Sequence, residues 1–429
     1  MKNFNSLFYI LFAGILLLSS CAKDEVCEDV NCPEGYVPTD ENGICSCLPD
    51  SDAINVVTKG GIITADETWT SDNVYKLQGK VIVSSGVTLT IQPGTIIKGS
   101  EGTGSVASAL VIARGATLNA IGNSAQPIIM TSILDDILPG QKSGTTLDET
   151  QNGLWGGLII LGNAPCSFEA NVVEFQIEGI PADETYGLYG GNDPNDNSGI
   201  INFLSIRHGG ALIGANNEIN GLTLGGVGSG TVIGMIEVVA NQDDGIEFFG
   251  GTVNVTDALV WAQGDDAFDV DQAYSGTVDN FIYIAGPDSD HGLEIDGPEG
   301  SALGSFKFIN GTLKGLDTEM VDFRKSAQGE LLDCKFFNFP GVDGDLEIDD
   351  VESSTNFSNG ALIIKGNDFV TTLTVADICH DKSTGADEAA FDAQMTIDNA
   401  TVSTSTKGAD PERFEWTYAA EKGMLIDFQ

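Results

Sequence analysis

Four short segments of the chain repeat one arrangement of acidic and apolar residues. They are Asp-Asp-Gly-Ile-Glu-Phe-Phe (243–249), Asp-Asp-Ala-Phe-Asp-Val-Asp (265–271), Asp-His-Gly-Leu-Glu-Ile-Asp (290–296) and Glu-Met-Val-Asp-Phe-Arg (319–324). Such alternation is typical of a short β-strand, whose successive side chains point to opposite faces. We call the four acids that then share one face the acidic ladder: Glu247, Asp269, Glu294 and Asp322. Their spacing of 22 to 28 residues suits one coil of a solenoid.

Stacked coils would place the ladder carboxylates about 4.8 Å apart, where each raises the pKa of the next unless a cation intervenes. Calcium is one remedy, because it accepts about six to eight oxygen ligands in flexible geometries. Pairing with basic residues is a second remedy, and exposure to water is a third. The predicted calcium ligands are Asp243, Asp244, Asp265, Asp266, Asp269 and Glu294. The predicted ligand-binding face consists of Glu247, Asp269, Asp271, Glu294, Asp296 and Asp322.

Three residues near the ladder have side chains suited to acid–base catalysis. Arg324 and Lys325 directly follow the last ladder residues, and either is a candidate base if a bound dication lowers its pKa. An ordinary ion pair between Arg324 and Asp296 is the alternative. His291 is a candidate general acid, or else a polar residue of the turn before its strand.

Short β-branched runs separated by turns dominate the chain from residue 51 onward. The pattern suits either a β-sandwich or a parallel β-helix, and the in-register recurrence of the acidic segments favours the β-helix. We therefore predict an all-β parallel β-helix (solenoid) over residues 51–429, with a C-terminal capping segment at about 380–429. The helical composition of Ala386–Ala393 suggests that this stretch packs against or caps the last coil.

Two segments rich in Gly, Asp, Asn and Pro interrupt the strands and are predicted to be loops. They are Ile133–Gly153 and Pro181–Gly199. The second carries Tyr186 and Tyr189, which would either stack on a sugar ring or pack down onto the protein.

The chain is strongly acidic, with 63 acidic residues against 19 basic ones and a formal net charge of −44. Such a surface repels nucleic acid and anionic lipid headgroups, and it attracts cations. We therefore predict no nucleic-acid partner.

The N-terminus has the features of a secretory signal. Lys2 precedes an apolar run that is too short to span a membrane stably, and the run ends in Leu18-Ser19-Ser20-Cys21, which resembles a bacterial lipobox. This resemblance implies a signal peptide at residues 1–20, a tether at 21–26 and covalent diacylglycerol on Cys21, and hence a lipid-anchored outer-membrane protein. The following Ala-Lys-Asp-Glu (22–25) is similar to the signal that exports lipoproteins of the Bacteroidetes to the cell surface. A secretory signal without lipidation is the alternative.

Four cysteines crowd into residues 27–50: Cys27, Cys32, Cys45 and Cys47. In an exported chain they are candidates for two disulfides that stabilise a small module, which resembles a truncated EGF- or follistatin-like knot. A zinc site is the alternative, although Cys45 and Cys47 lie too close together for the usual ligand spacing. Three further cysteines, Cys166, Cys334 and Cys379, have no pairing that the sequence can decide.

Longer motifs resemble a family of right-handed parallel β-helix surface lipoproteins of the Bacteroidetes, which are pectate-lyase-like and mostly of unassigned activity. The motifs are Val-Thr-Leu-Thr-Ile-Gln-Pro-Gly-Thr-Ile-Ile-Lys-Gly (87–99), Leu-Trp-Gly-Gly-Leu-Ile-Ile-Leu-Gly-Asn-Ala-Pro (154–165) and Glu-Ile-Asn-Gly-Leu-Thr-Leu-Gly-Gly-Val-Gly-Ser-Gly-Thr (218–231). The resemblance covers roughly residues 55–429. It implies a right-handed β-helix at the cell surface and does not assign an activity.

Two functions fit these observations best. The first is a non-catalytic surface module whose acidic face binds a polysaccharide or an envelope protein, with calcium as a possible cofactor. The alternative is a calcium-dependent lyase or hydrolase that acts on an acidic polysaccharide. Pectate-lyase-like β-helices hold calcium on acidic residues and use Lys or Arg as the base, which implies such roles for Arg324 or Lys325 beside Asp296 and Asp322. A structural or adhesive spacer is a third class.

Overall fold

The computed structural model describes residues 36–41, 44–49, 54–181, 184–212, 219–316, 318–339, 345–383, 395–398 and 405–428. Of the strands at 36–41, 44–49 and 395–398, only the backbone is described. The chain divides into two compact units, Met1–Ala53 and Ile54–Gln429. The signal peptide, Cys21, Cys27, Cys32 and all of Ala386–Ala393 lie outside the described residues, so those assignments remain predictions.

The described part of the first unit is a β-hairpin. Strands β1 (Tyr36–Glu41) and β2 (Ile44–Pro49) pair antiparallel, with Cys45 opposite Asp40 and Cys47 opposite Pro38. The cysteine side chains are not described, and the disulfide staple therefore remains a prediction.

Strands make up nearly all of the regular secondary structure described in the second unit. Its first part contains β3 (Asn55–Ile63), β4 (Glu67–Trp69), β5 (Asn73–Val83), β6 (Thr88–Ile91), β7 (Ile96–Gly99), β8 (Ala109–Ile112), β9 (Thr117–Ile121), β10 (Ile128–Ser132), β11 (Leu158–Leu161), β12 (Phe175–Gln176) and β13 (Leu188–Tyr189). The middle contains β14 (Gly199–Arg207), β15 (Leu222–Gly225), β16 (Val232–Val239), β17 (Ile246–Phe249), β18 (Asn254–Trp261), β19 (Phe268–Asp271), β20 (Thr277–Ile284), β21 (His291–Asp296) and β22 (Phe306–Lys314).

The last part contains β23 (Glu319–Arg324), β24 (Gly329–Leu332), β25 (Lys335–Phe337), β26 (Leu346–Ile348), β27 (Leu362–Lys365), β28 (Asn367–Val370), β29 (Cys379–Asp381) and β30 (Met395–Asp398). The described α-helices are short: α1 (Val351–Asn359), α2 (Val375–Ile378) and α3 (Tyr418–Glu421). Among the described residues, no helix is long and apolar enough to cross a membrane.

The strands of successive coils pair in parallel and form three long sheets around one core. The first sheet contains the end of β5 and then β8, β11, β15, β17, β19, β21, β23, β26 and β29. The long strands β14, β16, β18, β20 and β22 each contribute their first half to the second sheet and their second half to the third. This is the architecture of a parallel β-helix, and the predicted fold class is confirmed.

Each long strand bends at one residue with a positive φ angle, and these residues stack along one corner of the solenoid. They are Phe203, Met235, Asp257, Asn280 and Asn310, with φ between 50° and 59°. Asn and Asp tolerate this left-handed conformation better than other non-glycine residues do. Asn280 also donates its side-chain amide to Asp257, which joins adjacent coils at the bend.

The core is apolar, and aromatic rings occupy its middle coils. Phe268, Phe281 and Phe308 are fully buried, and their ring centroids lie 5.3 to 5.9 Å apart in edge-to-face contacts. Such pairs stabilise beyond the area that they bury. Of the three cysteines whose pairing was open, Cys166 and Cys334 are free thiols among the described residues, and Cys379 is buried.

The described end of the chain, residues 405–428, packs along the side of the solenoid on the outer face of the third sheet. Its apolar residues contact a surface that includes Leu259, Trp261 and Ile284. The Glu237 carboxylate accepts a 2.9 Å hydrogen bond from the backbone N–H of Ala419 in α3. Arg413 pairs with Asp257 at 2.8 Å. This segment therefore covers sheet residues of several middle coils, whereas the sequence had suggested a cap over the last coil.

Candidate functional site

The acidic ladder forms one column on the first sheet, as the spacing predicted. Glu247 pairs in register with Asp269, Asp269 with Glu294, and Glu294 with Asp322. The apolar residues between the acids, including Phe248 and Val270 on the ladder strands, are buried in the core. The segments 243–249, 265–271, 290–296 and 319–324 are therefore equivalent parts of successive coils.

Two further residues continue the column, and the sequence analysis missed both. Asp322 pairs in register with Glu347, and Glu347 pairs with His380. The signal for Glu347 was present, because Asp-Leu-Glu-Ile-Asp (345–349) repeats the same alternation one coil after Asp322. In the other direction the column becomes uncharged at Thr223 and apolar at Ile159.

A long loop covers the apolar start of this column. Phe168 and Tyr189 meet edge to face with centroids 5.3 Å apart, and Tyr189 meets Phe249 at 6.0 Å. The Tyr189 hydroxyl group donates a 2.8 Å hydrogen bond to Gln272. Tyr189 is fully buried and Tyr186 packs partly against the same cluster, so Tyr189 is packed down and does not present its ring to a sugar. The acidic part of the column thus begins where the loop ends.

The ladder acids are largely enclosed even though they lie on the outer face. Glu247 and Asp322 are 5 % and 4 % exposed, and the other two are intermediate. The acids do not splay into water, so the third remedy considered above is wrong for this face. Neighbouring coils lie so close that each carboxylate removes water from the next. A buried carboxylate needs a cation, a hydrogen-bond donor or a proton.

Glu247 and Asp269, the first half of the ladder, have no basic partner among the described residues. Asp244, Glu247 and Asp269 can each place one carboxylate oxygen within 4.8 Å of the other two, and no ion pair joins them to a basic residue in the described part of the chain. Asn220 donates its side-chain amide to Glu247, and the Asn220 Oδ1 atom is buried without a hydrogen-bond partner among the described residues. Asp243, Asp244 and Asp265 form a second such group that reaches the surface.

Burial and mutual repulsion raise the pKa values of Asp244 and Glu247. Burial, then the charges of Asp266, Asp243 and Asp265, raise the pKa of Asp244 well above its ordinary range. Burial, then the charges of Asp269 and Asp244, do the same to the pKa of Glu247. Without a cation, this group would therefore hold protons at pH values where carboxylic acids are normally ionised.

The second half of the ladder is compensated by basic side chains. Arg324 pairs with Glu294, and its Nε atom lies 2.9 Å from Asp296 Oδ1 and 3.6 Å from Asp322 Oδ2. Lys325 pairs with Asp296, and Lys382 pairs with Glu347. The ion pair between Arg324 and Asp296 that the sequence suggested as an alternative is present.

These ion pairs oppose the predicted role of Arg324 or Lys325 as a catalytic base. Burial lowers the pKa of Lys325, but its hydrogen bond to Asp296 and the charges of Asp296 and Asp271 raise the pKa overall. Arg324 donates to a carboxylate on an adjacent coil. A base must be deprotonated to act, so neither residue is prepared for proton abstraction while these pairs remain intact.

Acids surround His291. Its Nδ1 atom lies 2.8 Å from Asp266 Oδ1 and 3.8 Å from Glu294 Oε2, and its Nε2 atom lies 3.3 Å from Glu319 Oε2. Burial lowers the pKa of His291, but the hydrogen bond to Asp266 and the charges of Asp266, Asp290 and Glu319 raise it to about 9. At neutral pH the ring is therefore mostly protonated and pairs with its neighbours.

A second column of side chains, Phe249, Asp271, Asp296 and Arg324, lies beside the ladder. Phe249 pairs with Asp271 and Asp296 pairs with Arg324 in register. Burial, then the charge of Asp296, raises the pKa of Asp271 to about 7, and the Asp271 Oδ1 atom has no hydrogen-bond partner among the described residues. All six residues of the predicted ligand-binding face therefore lie together on one side of the first sheet.

The predicted calcium ligands do not form one cluster. They divide into a group with Asp243, Asp244 and Asp265, a group in which Glu247 joins Asp244 and Asp269, and a group in which His291 joins Asp266 and Glu294. The first two groups offer only oxygen atoms, which suit calcium, whereas the third includes an imidazole.

The comparisons with known proteins agree with this architecture. A family model described as a pectate-lyase like beta helix domain matches residues 61–420. No curated protein and no solved structure matches the chain. The match spans most of the chain and covers every residue of the acidic ladder, so the chain belongs to the family of pectate-lyase-like β-helix domains.

Proposed function

We propose that the chain is a cell-surface binding protein whose acidic face holds calcium and, through it, an acidic polysaccharide. The observation that carries this proposal is the group of Asp244, Glu247 and Asp269, which has carboxylates within 4.8 Å of one another and no basic partner in the described residues. Calcium fits this group because it takes several oxygen ligands, tolerates irregular geometry and cancels the repulsion.

The negative charge of the protein explains why calcium would be needed to bind an acidic polysaccharide. The chain has a net charge of −44 and would repel a uronate polymer in the absence of a cation. A bound calcium ion that keeps open coordination positions can bridge protein carboxylates and sugar carboxylates. Asp244 also belongs to the group with Asp243, which is partly exposed, and Asp265, which is exposed, so a ligand in solution can reach an ion held beside Asp244. Membership of the pectate-lyase-like family supports a carbohydrate ligand over an envelope protein.

Binding to immobilised uronate polysaccharides tests this function directly. The chain without residues 1–21 would be measured with calcium and with a calcium chelator. We expect retention only with calcium, and loss of retention in Glu247→Gln. Asp72→Asn, which removes an exposed acid far from the ladder in sequence, is the matched control and should bind normally. The proposal would be overturned if retention were the same with calcium and with the chelator, and the same in the wild type and in Glu247→Gln.

Catalysis on the same polymers is the alternative, and one arrangement favours it. Arg324 and Lys325 both contact Asp296 on the face that would bind the polymer. A calcium ion that displaced one of these contacts would free a basic side chain near the sugar. The ultraviolet absorbance of an unsaturated product measures this activity. Calcium-dependent product that is lost in Arg324→Ala would make the protein a lyase, and absence of product from every polymer would leave the binding function.

We also propose that Cys21 carries diacylglycerol and anchors the protein to the outer membrane, facing outward. The support is the Leu18-Ser19-Ser20-Cys21 motif after the apolar run. Metabolic labelling with a fatty acid should mark the wild-type protein and not Cys21→Ala. Protease treatment of whole cells would then show whether the β-helix faces the outside.

A further inference from the structure

The surroundings of His291 differ in chemistry from the rest of the acidic face. The first half of the ladder offers only oxygen atoms, whereas here an imidazole ring stands among carboxylates. Calcium is bound by oxygen ligands, and imidazole nitrogen is a ligand for zinc and neighbouring transition metals. The two regions would therefore select different ions.

The ring is held as metal-binding histidines usually are. Its Nδ1 atom and its backbone N–H both lie within hydrogen-bond distance of Asp266 Oδ1, at 2.8 and 2.9 Å. A carboxylate on one ring nitrogen fixes the orientation of the ring and leaves the other nitrogen to bind a metal. The nitrogen left over is Nε2, which faces Glu319.

The distances and the exposure fit an ion on this side of the ring. Nε2 lies 3.3 Å from Glu319 Oε2, and two atoms that each lie about 2.0 Å from a tetrahedral zinc ion are separated by about 3.3 Å. Asp290 supplies a third ligand: one of its carboxylate oxygens, a ring nitrogen of His291 and a Glu319 oxygen lie within 4.8 Å of one another, and Asp290 Oδ2 is 3.9 Å from His291 Nδ1. The Asp290 and Glu319 side chains are 58 % and 33 % exposed, so the ion can enter from solvent and keep an open position.

A separate observation is that one buried carboxylate beside this group, Asp322, is only partly compensated by Arg324. Asp322 is 4 % exposed, and its Oδ1 atom has no hydrogen-bond partner in the described part of the chain. It lies in register beside Glu294, whose Oε2 atom is 3.8 Å from His291 Nδ1. A buried acceptor without a partner is costly, and a nearby divalent cation would offset that cost.

We propose that Asp290, His291 and Glu319 bind a divalent transition-metal ion such as Zn²⁺, with Asp266 as the positioning residue for the imidazole. Three protein ligands leave a fourth position for water or for a group of the bound ligand, the arrangement found in catalytic zinc sites. This site is distinct from the calcium group of Asp244, Glu247 and Asp269, and the proposal stands or falls independently of calcium binding.

Calorimetric titration of the chain without residues 1–21 with ZnCl₂, in the presence of excess calcium, tests the site. Excess calcium occupies the all-oxygen groups, so that their occupancy does not mask zinc binding. We expect one zinc ion per chain. His291→Gln should abolish binding, and Asp266→Asn should weaken it about 10- to 100-fold, as loss of an orienting carboxylate usually does. Asp290→Asn changes an exposed residue, so it should fold normally and weaken binding about tenfold.

His380→Gln is the matched control, because it removes the histidine of β29, which lies three strands beyond β21 along the first sheet. It should leave zinc affinity unchanged. Absence of zinc binding in excess calcium would overturn the proposal, and so would binding that survives both His291→Gln and Asp290→Asn. In ¹⁵N-histidine spectra, zinc should shift the Nε2 resonance of His291. A shift confined to another of the three histidines would contradict the assignment.

Discussion

Asp322 lies in register beside Glu294 on the adjacent coil, yet the two carboxylates are compensated unequally. Arg324 pairs closely with Glu294, whereas its Nε atom is 3.6 Å from Asp322 Oδ2, and Asp322 Oδ1 has no hydrogen-bond partner among the described residues. Burial, then the charges of Asp349 and Glu347, raises the pKa of Asp322 to about 8. The stacking of acids therefore creates a demand for cations that the described basic residues meet only in part.

We predict that the cation-free protein loses stability as pH rises from about 5 to about 9. The folded-state pKa is about 7 for Asp271 and Glu347 and about 8 for Asp322, all above their ordinary values. An acid whose pKa is raised in the folded state binds its proton more tightly there than in the unfolded state. Its contribution to the free energy of unfolding is therefore complete below the unfolded-state pKa, and it is lost as pH rises through the folded-state pKa. His291, with a raised pKa of about 9, changes stability in the same direction.

Thermal unfolding in a chelating buffer across this pH range measures the effect. Calcium should restore stability most at the alkaline end, where the carboxylates are ionised and bind the ion best. Stability that increases steadily with pH in the chelator would contradict this account of the ladder.

Asp322→Asn should stabilise the cation-free protein at about pH 8.5. The substitution keeps the shape of the side chain and removes a buried charge that lacks a full partner, and we expect a gain of about 1 kcal/mol in the free energy of unfolding. Urea unfolding measures it, with Asp72→Asn as the control for removal of one exposed negative charge. A loss of stability in Asp322→Asn alone would mean that the ionised carboxylate is favourable where it lies.

Glu237→Gln should destabilise the protein by about 3 kcal/mol. Glu237 is fully buried, accepts hydrogen bonds from Ser205 and from the backbone of Ala419, and lies 3.9 Å from the buried guanidinium of Arg207. Loss of the carboxylate removes the one ion pair that Arg207 makes among the described residues, and it weakens the attachment of the C-terminal segment.

The control is Arg413→Gln, which breaks the ion pair of the same segment with Asp257. The Arg413 side chain is 50 % exposed, so we expect a loss of at most about 1 kcal/mol. Equal losses in the two variants, measured by urea unfolding, would show that the burial of Glu237 does not matter.

The fold and the alignment of the acids were predictable because both depend on local patterns. Alternation along 243–249 and its recurrence one coil later place Glu247 beside Asp269 without knowledge of the rest of the chain. The enclosure of these acids was not predictable, because it depends on how closely adjacent coils and the loop containing Tyr189 approach them. The ion pair between Lys382 and Glu347 was likewise not predictable unless Glu347 had first been assigned to the column.

The sequence contains one signal for the position of the C-terminal segment. Ala-Leu-Val-Trp (258–261) is apolar at every position, which indicates a strand covered on both faces. One face lies in the core, and residues 405–428 cover the other. The sequence offered no means of pairing this strand with Phe414 or Tyr418, which follow it by more than 150 residues.

Calcium binding to the chain without residues 1–21, measured by calorimetry at about pH 8, tests the central claim most directly. We predict at least one calcium ion per chain, with affinity reduced at least about tenfold in Glu247→Gln and in Asp269→Asn and unchanged in Asp72→Asn. Such a result would establish that the unpaired half of the acidic ladder is a calcium site. Absence of calcium binding, or binding that is the same in all four proteins, would contradict the account.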